Sequence, residues 1–222
     1  MKPVKAEPLT RDATTACAEL VRRLLTSVPE PGRFVLGIAG APGAGKSTCA
    51  ARLVDQATAA GVSAVVVPMD GFHLAQSVLE ARGLADVKGA PETFDAYGYL
   101  AVLQRVRAAD HTVWAPSFDR TLEEPVAGSI AVEPGVRLVV TEGNYLLDAA
   151  DPWVRTADLL DETWFVQVPD ELRRTRLIAR HKRFGRSHAE AVEHALGSDE
   201  RNARRIAATR ERADLVITPP VD

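Results

Sequence analysis

The residues best suited to chemistry form a glycine-rich segment, whose sequence is Gly40-Ala41-Pro42-Gly43-Ala44-Gly45-Lys46-Ser47. It fits the pattern G-x-x-x-x-G-K-[ST] and lies between a predicted strand and a predicted helix, as phosphate binding requires. The glycines let backbone N–H groups surround a phosphate, and the following helix adds the positive end of its dipole. Lys46 is expected to reach the β- and γ-phosphates of a nucleotide, and Ser47 to ligate Mg²⁺. Thr48 completes the predicted nucleotide site.

Two acidic residues follow predicted strands and are the next candidates. Asp70 follows a strand predicted at 62–67, and Glu142 follows one predicted at 136–140. Both are expected at the carboxyl edge of the sheet, where ligands bind. Asp70 there can accept a proton from an attacking hydroxyl or hold the water shell of a metal, or it caps a helix. Glu142 is a candidate for Mg²⁺, directly or through water, or is a hydrogen-bonded structural glutamate. His73 either contacts substrate or is a partly buried histidine that the backbone satisfies.

A basic segment between residues 173 and 186 contains seven Lys or Arg residues and His181, with no acidic residue. Helical geometry places four of its arginines within an arc of about 80° on one face; these are Arg173, Arg176, Arg180 and Arg183. A stripe of one sign favours an anionic ligand such as a triphosphate. A basic solvent face or an RNA-binding patch is the alternative. Because Gly185 follows, the arm at 170–200 is expected to hinge as a lid.

The elements that position these residues are read from apolar runs and helical spacing. Five buried strands are predicted, at 34–39, 62–67, 136–140, 164–168 and 215–217. Helices are predicted at 9–27, 47–60, 97–109, 151–160, 170–184 and 199–213. Apolar strands that alternate with helices predict a mostly parallel sheet covered on both faces. The helix at 9–27 packs either on this core or on another subunit, so a homodimer stays open.

Composition excludes several classes of protein. The chain has 222 residues, of which 46% are hydrophobic, and its net charge is only -3. This balance predicts a single folded domain over 1–222, with its core at 33–218. The acidic balance and the 5% aromatic content argue against nucleic acid as a partner. No apolar run approaches the ~20 residues that span a bilayer, and two cysteines are too few for a disulfide framework. A cytoplasmic location without membrane association is therefore expected.

Taken together, these segments resemble the phosphoribulokinase/uridine kinase family of P-loop kinases. The resemblance runs from about Phe34 to Ile217, and its closest-looking branches are type I pantothenate kinases and bacterial nucleoside/nucleotide kinase-like proteins of the fructose-transport kinase type. It rests on the phosphate-binding loop and on Met69–His73, Lys88–Asp95, Pro116–Asp119, Glu142–Leu147 and Arg180-His181.

The resemblance implies an α/β P-loop NTPase fold: a three-layer sandwich with a five-stranded parallel core sheet and a helical lid. It implies ATP and Mg²⁺ as cofactors and a small acceptor that carries a hydroxyl. Asp70 then looks like the general base and Glu142 like the acid that supports metal and acceptor, while Arg180 and Arg183 look like lid arginines. The segment Lys88–Asp95 and the pair Phe118-Asp119 are similar to acceptor-binding loops, with Asp95 the best candidate for a substrate hydroxyl. Asp70, His73 and Arg176 are the other candidates for binding the acceptor.

One departure leaves the acceptor open. Uridine kinases carry Tyr-Asp-Phe followed by a histidine, whereas this chain reads Phe118-Asp119-Arg120-Thr121, so the uracil-reading residues are not reproduced. A kinase acting on a nucleoside, a pantothenate-like compound or a sugar is the leading hypothesis. A regulatory NTPase, or an NTP- or RNA-binding module, is the alternative; the Asn-Lys-x-Asp segment of a Ras-type GTPase is not present.

Overall fold

A computed structural model of the chain describes residues 13–219. The strands of this part are β1 (Phe34–Gly40), β2 (Ala64–Pro68), β3 (Val113–Asp119), β4 (Glu124–Val132), β5 (Leu138–Gly143), β6 (Glu162–Val166) and β7 (Leu215–Ile217). Its α-helices are α1 (Ala13–Ser27), α2 (Lys46–Ala59), α3 (Gln76–Ala81), α4 (Ala96–Ala108), α5 (Asp170–Arg183), α6 (His188–Leu196) and α7 (Ser198–Ala207). No helix within 13–219 is long and apolar enough to cross a bilayer.

Five strands form a parallel sheet in the order β2-β5-β1-β6-β7, and β3 and β4 pair separately as an antiparallel hairpin. Every residue of β1 and β5 is buried, which explains why these segments are continuous apolar runs. Successive residues of β1 face opposite sides: Leu36 packs with Leu53 of α2, whereas Val35 packs with Val106 of α4. The sheet is therefore covered on both faces, and the predicted α/β P-loop fold is confirmed.

The N-terminal helix packs on the core of its own chain. Val21, Leu24 and Val28 are buried in the same cluster as Phe34 and Trp164. The arginine Arg23 adds an ion pair, because its Nη2 lies 2.5 Å from Glu162 Oε1 at the start of β6. Of the predicted span 9–27, residues 9–12 lie outside the described part of the chain.

Several element boundaries differ from the sequence predictions. The strands predicted at 62–67 and 136–140 both run further, to Pro68 and Gly143, so Glu142 belongs to a strand instead of following it. The helix predicted at 151–160 is a 3₁₀ segment, Trp153–Leu159, and the one predicted at 199–213 ends at Ala207. The hairpin β3–β4 was not predicted. Its residues alternate poorly, Trp114 is exposed, and a register shift interrupts the pairing between Ala115 and Ser117.

Candidate active site

The phosphate-binding loop connects β1 to α2 at the carboxyl edge of the sheet. Gly43 has a φ of 81°, and a Cβ there would lie 2.8 Å from the carbonyl oxygen of Arg173, so the loop packs directly against α5. Gly45, with a φ of 94°, precedes the first turn of α2. Lys46 and Ser47 begin that helix and line a cavity of about 210 Å³ together with Pro42. The predicted nucleotide-binding segment thus has the backbone shape that a phosphate cradle requires.

Lys46 is buried at the base of this cavity. Its Nζ donates hydrogen bonds to Asn144 Oδ1 at 2.9 Å and to the carbonyl oxygen of Ala41 at 3.2 Å. Burial lowers the pKa of Lys46, while the neighbouring carboxylates of Glu142 and Asp70 oppose that shift. The ammonium group is thus held in place beside the loop.

The Ser47 hydroxyl donates a hydrogen bond to Glu142 Oε1 at 2.8 Å. Burial, together with the negative charge of Asp70, raises the pKa of Glu142. A hydroxyl and a carboxylate at the mouth of a phosphate loop supply hard oxygen donors of the kind that Mg²⁺ prefers. The residues present therefore fit the Mg²⁺ that the resemblance implies.

Asp70 lies in a short 3₁₀ turn, Met69–Phe72, directly after β2. Its Oδ2 is 2.5 Å from Nη2 of Arg120, which the hairpin β3–β4 brings across the cavity. Burial alone would raise the pKa of Asp70, but His73 and the Arg120 guanidinium outweigh it and hold that pKa below its ordinary value. Asp70 is thus a carboxylate kept ionised at neutral pH, as a proton acceptor must be.

His73 is a partly buried histidine that the backbone satisfies, and its contact with substrate stays a prediction. Its Nδ1 is 2.8 Å from the carbonyl oxygen of Asp70, and its ring packs between Phe94 and Phe118, with centroid separations of 4.0 and 5.0 Å. Burial lowers the pKa of His73. The ring also lines the cavity, so it is a backbone-anchored wall of the site.

The far wall of the cavity carries an aromatic ring between two cations. Phe118 has Arg120 Cζ 4.8 Å and Lys88 Nζ 5.4 Å from its ring centroid. Lys88 Nζ also donates to the carbonyl oxygen of Glu123 at 2.8 Å and to Gln76 Oε1 at 3.3 Å. Two of the predicted acceptor-binding residues, Lys88 and Phe118, are therefore placed in the site.

The four arginines of the predicted stripe do not all lie at the cavity. Arg180 lines the cavity, and Arg176 lies beside the phosphate loop, with Nη1 3.7 Å from where a Gly45 Cβ would be. Arg183 is exposed and lies beside Phe184, outside the cavity. Arg173 points into the protein: it is 2% exposed and pairs with Glu200 of α7. The expectation that Arg173 faces an anionic ligand is therefore wrong.

Asp95 and Asp119 are not brought to the cavity. Asp95 is the N-cap of α4, and its carboxylate accepts a hydrogen bond from the Gly98 N–H at 2.8 Å. Asp119 closes the turn of the hairpin by accepting from the N–H groups of Thr121 and Leu122. Both carboxylates accept hydrogen bonds from nearby backbone N–H groups, as aspartates at helix caps and turns commonly do. The structure gives no support to their assignment as acceptor ligands.

Sequence reasoning missed a polar cluster at the base of the arm. His181 of α5, His194 of α6 and Asp199 of α7 offer ligand atoms within 4.8 Å of one another, and His181 Nε2 is 2.7 Å from Asp199 Oδ2. Such a set can hold a metal ion, but Arg180 and Arg186 line the same region and disfavour a cation. Arg120 and Asn144 were also missed as site residues, since no pattern near them indicated their long-range partners.

The five-stranded parallel sheet, the phosphate loop and the acidic edge define a P-loop kinase fold. Residues 35–220 match the phosphoribulokinase/uridine kinase family, and the chain belongs to that family. A candidate uridine kinase of Schizosaccharomyces pombe is 33% identical over 213 residues, which are 90% of this chain and 88% of that protein. The crystal structure of a candidate fructose transport system kinase from Silicibacter superposes with a TM-score of 0.83 at 39% identity, covering 93% of this chain and 99% of the other.

A pantothenate kinase of Chelativorans is also similar, at 32% identity over 149 residues. The match covers 63% of this chain but only 46% of that enzyme, so the chain spans about half of this relative. Family membership makes the protein a phosphotransferase that uses ATP and acts on a small molecule. The resemblance deduced from the sequence motifs is confirmed.

Proposed function

We propose that the protein transfers the γ-phosphoryl group of ATP to a hydroxyl of a small metabolite, with Mg²⁺ as the metal and Asp70 as general base. The observation that carries this proposal is the convergence of three groups on one cavity. The phosphate-binding Lys46, the oxygen pair Ser47–Glu142 and an ionised Asp70 come from three different strand ends. A protein that only stores a nucleotide has no use for a carboxylate held ionised opposite the phosphate loop.

The chemistry assigned to these residues follows from their positions. The acceptor oxygen attacks the γ-phosphorus, its proton passes to the Asp70 carboxylate, and the bond to the bridging oxygen breaks, with its electron pair leaving on ADP. Lys46 and Arg180 provide positive charge beside the transferred group. Mg²⁺ held by Ser47 and Glu142 would neutralise charge on the phosphate oxygens. Arg120 contacts only the Oδ2 atom of Asp70 with its Nη2, so the proton of the acceptor is assigned to Oδ1.

The first test is ADP release from Mg-ATP with and without acceptors, using uridine, cytidine, pantothenate, fructose and ribose. The proposal predicts release that one acceptor class stimulates and that Asp70→Asn abolishes. Asp95→Asn is the matched control, because asparagine also caps helices well and Asp95 lies outside the cavity. Release that no acceptor stimulates and that Asp70→Asn leaves unchanged would favour an NTPase switch instead.

A further inference from the structure

The cations of the cavity fall into two groups according to the element that carries them. Lys46 begins α2 and Arg180 belongs to α5, and both line the cavity. Lys88 precedes α4 and Arg120 lies in the turn between β3 and β4, and both approach the ring of Phe118. Transfer of one phosphoryl group is served by the first group together with Mg²⁺, so the second group is available to another ligand.

Arg120 is the cation of this second group that matters most, because its partner is the proposed base. Its Nη2 lies 2.5 Å from Asp70 Oδ2. When Asp70 takes the proton of the acceptor hydroxyl, the carboxylate loses its charge and Arg120 loses its counter-ion. The side chains of Arg120 and Asp70 are 38% and 28% exposed, so the guanidinium is accessible to a group that enters the cavity. An anionic group that lies beside the reacting hydroxyl would then replace Asp70 as the partner of Arg120.

We propose that the acceptor itself supplies this anion: it carries a carboxylate or a phosphate group beside the hydroxyl that is phosphorylated, and Arg120 binds that group. This inference rests on the proposed function. A guanidinium presents paired N–H donors that match either anion in a bidentate fashion. Lys88 adds a second positive charge on the other side of Phe118. With an acceptor of this class, Arg120 keeps an anionic partner while Asp70 takes the proton of the hydroxyl.

The proposal is tested first by identifying the product without assuming the acceptor. Wild-type protein and Asp70→Asn are incubated with a deproteinised cell extract and ATP whose γ-phosphoryl group is labelled with heavy oxygen. Mass spectrometry then finds every compound that gains the label only with the wild type. We expect the parent of that product to contain a carboxylate or a phosphate, and its mass distinguishes the two.

Matched pairs of probes then measure the preference directly. The pairs are pantothenate and panthenol, D-glycerate and glycerol, and ribose 5-phosphate and ribose. The acceptor identified from the extract and its uncharged analogue form a fourth pair. The charged member is expected to have a kcat/KM on the order of 10² higher, because only that member forms charge-assisted hydrogen bonds with Arg120. Arg120→Gln should reduce this preference to less than about tenfold while leaving the KM for ATP within about threefold.

Arg107→Gln is the control variant. Arg107 also pairs with an aspartate, Asp161, and the side-chain exposures of that pair, 37% and 27%, nearly equal the 38% and 28% of Arg120 and Asp70. Since Arg107 lies outside the cavity, its loss should leave the preference intact. Three results would overturn the inference and leave the kinase assignment standing. They are a labelled product with an uncharged parent, an unchanged preference in Arg120→Gln, and an Arg120→Gln variant that loses only its affinity for ATP. The absence of any Asp70-dependent product would overturn the proposed function itself.

Discussion

We predict that Glu200 of α7 stabilises the fold through its ion pairs with the basic helix α5. Replacing Glu200 with glutamine should therefore destabilise the protein. Its carboxylate accepts hydrogen bonds from Arg173 at 2.5 Å and from Arg174 at 2.9 Å, and Glu200 itself is 8% exposed. These bonds, with Arg174 contributing most, lower the pKa of Glu200 from 4.5 to about 2. A difference of that size between unfolded and folded states corresponds to about 3 kcal/mol of stability at neutral pH.

The contribution of Glu200 to the free energy of unfolding depends on pH, in a direction that its lowered pKa determines. Because the folded pKa lies below the unfolded one, the contribution is present above pH 4.5 and is lost as the pH falls through about 2. The difference in unfolding free energy between wild type and Glu200→Gln should therefore be about 3 kcal/mol at pH 7 and about 2 kcal/mol near pH 3.5. Urea unfolding at a series of pH values measures it.

Arg204→Gln is the control for this experiment. Arg204 also approaches Glu200, with Nε 3.9 Å from Oε1, but its side chain is 80% exposed. An exposed pair of this kind contributes well under about 1 kcal/mol. If Glu200→Gln behaves like Arg204→Gln, or if its effect does not change with pH, then the clamp between α5 and α7 does not stabilise the fold and the reasoning is refuted.

Three further predictions concern the site and the sheet beneath it. Lys46→Ala should weaken nucleotide binding and abolish transfer, because the ammonium held by Asn144 is lost; calorimetric titration with ATP beside ADP release checks both effects. In Arg120→Gln the acid limb of the pH profile of kcat/KM should move to higher pH, since the guanidinium that lowers the pKa of Asp70 is gone; an unmoved limb would contradict the pairing. Tyr99→Phe should cost about 1–2 kcal/mol in urea unfolding, because the buried hydroxyl 2.7 Å from Thr141 Oγ1 disappears.

The parallel sheet and the phosphate loop were predictable because their signals are local. The strands β1 and β5 are buried on both faces, so each is a continuous apolar run that needs no knowledge of its neighbours. The hairpin β3–β4 gives no such signal: one of its large apolar residues, Trp114, is exposed, and the pairing is irregular around Pro116. The element that delivers Arg120 to the site was therefore the one most easily missed.

The residues of the site also divide into those with a local signal in the sequence and those whose partners lie far along the chain. Lys46, Ser47 and Asp70 follow directly from the ends of predicted strands. Arg173 shows the limit of helical spacing, which assigns a residue to a face without saying what packs there; its partner Glu200 is 27 residues further on. Asp95 is a different kind of error, since an aspartate at the start of an apolar helix is an ordinary cap and could have been interpreted as one.

The most direct test of the central claim separates nucleotide binding from phosphoryl transfer in a single variant. For Asp70→Asn, the dissociation constant for ATP and the single-turnover rate of transfer to the identified acceptor are measured on the same preparation. The account predicts an affinity within about threefold of wild type and a transfer rate lower by 10² or more, as loss of a general base requires. Transfer at the wild-type rate would contradict the assignment of Asp70 and, with it, the mechanism proposed for this site.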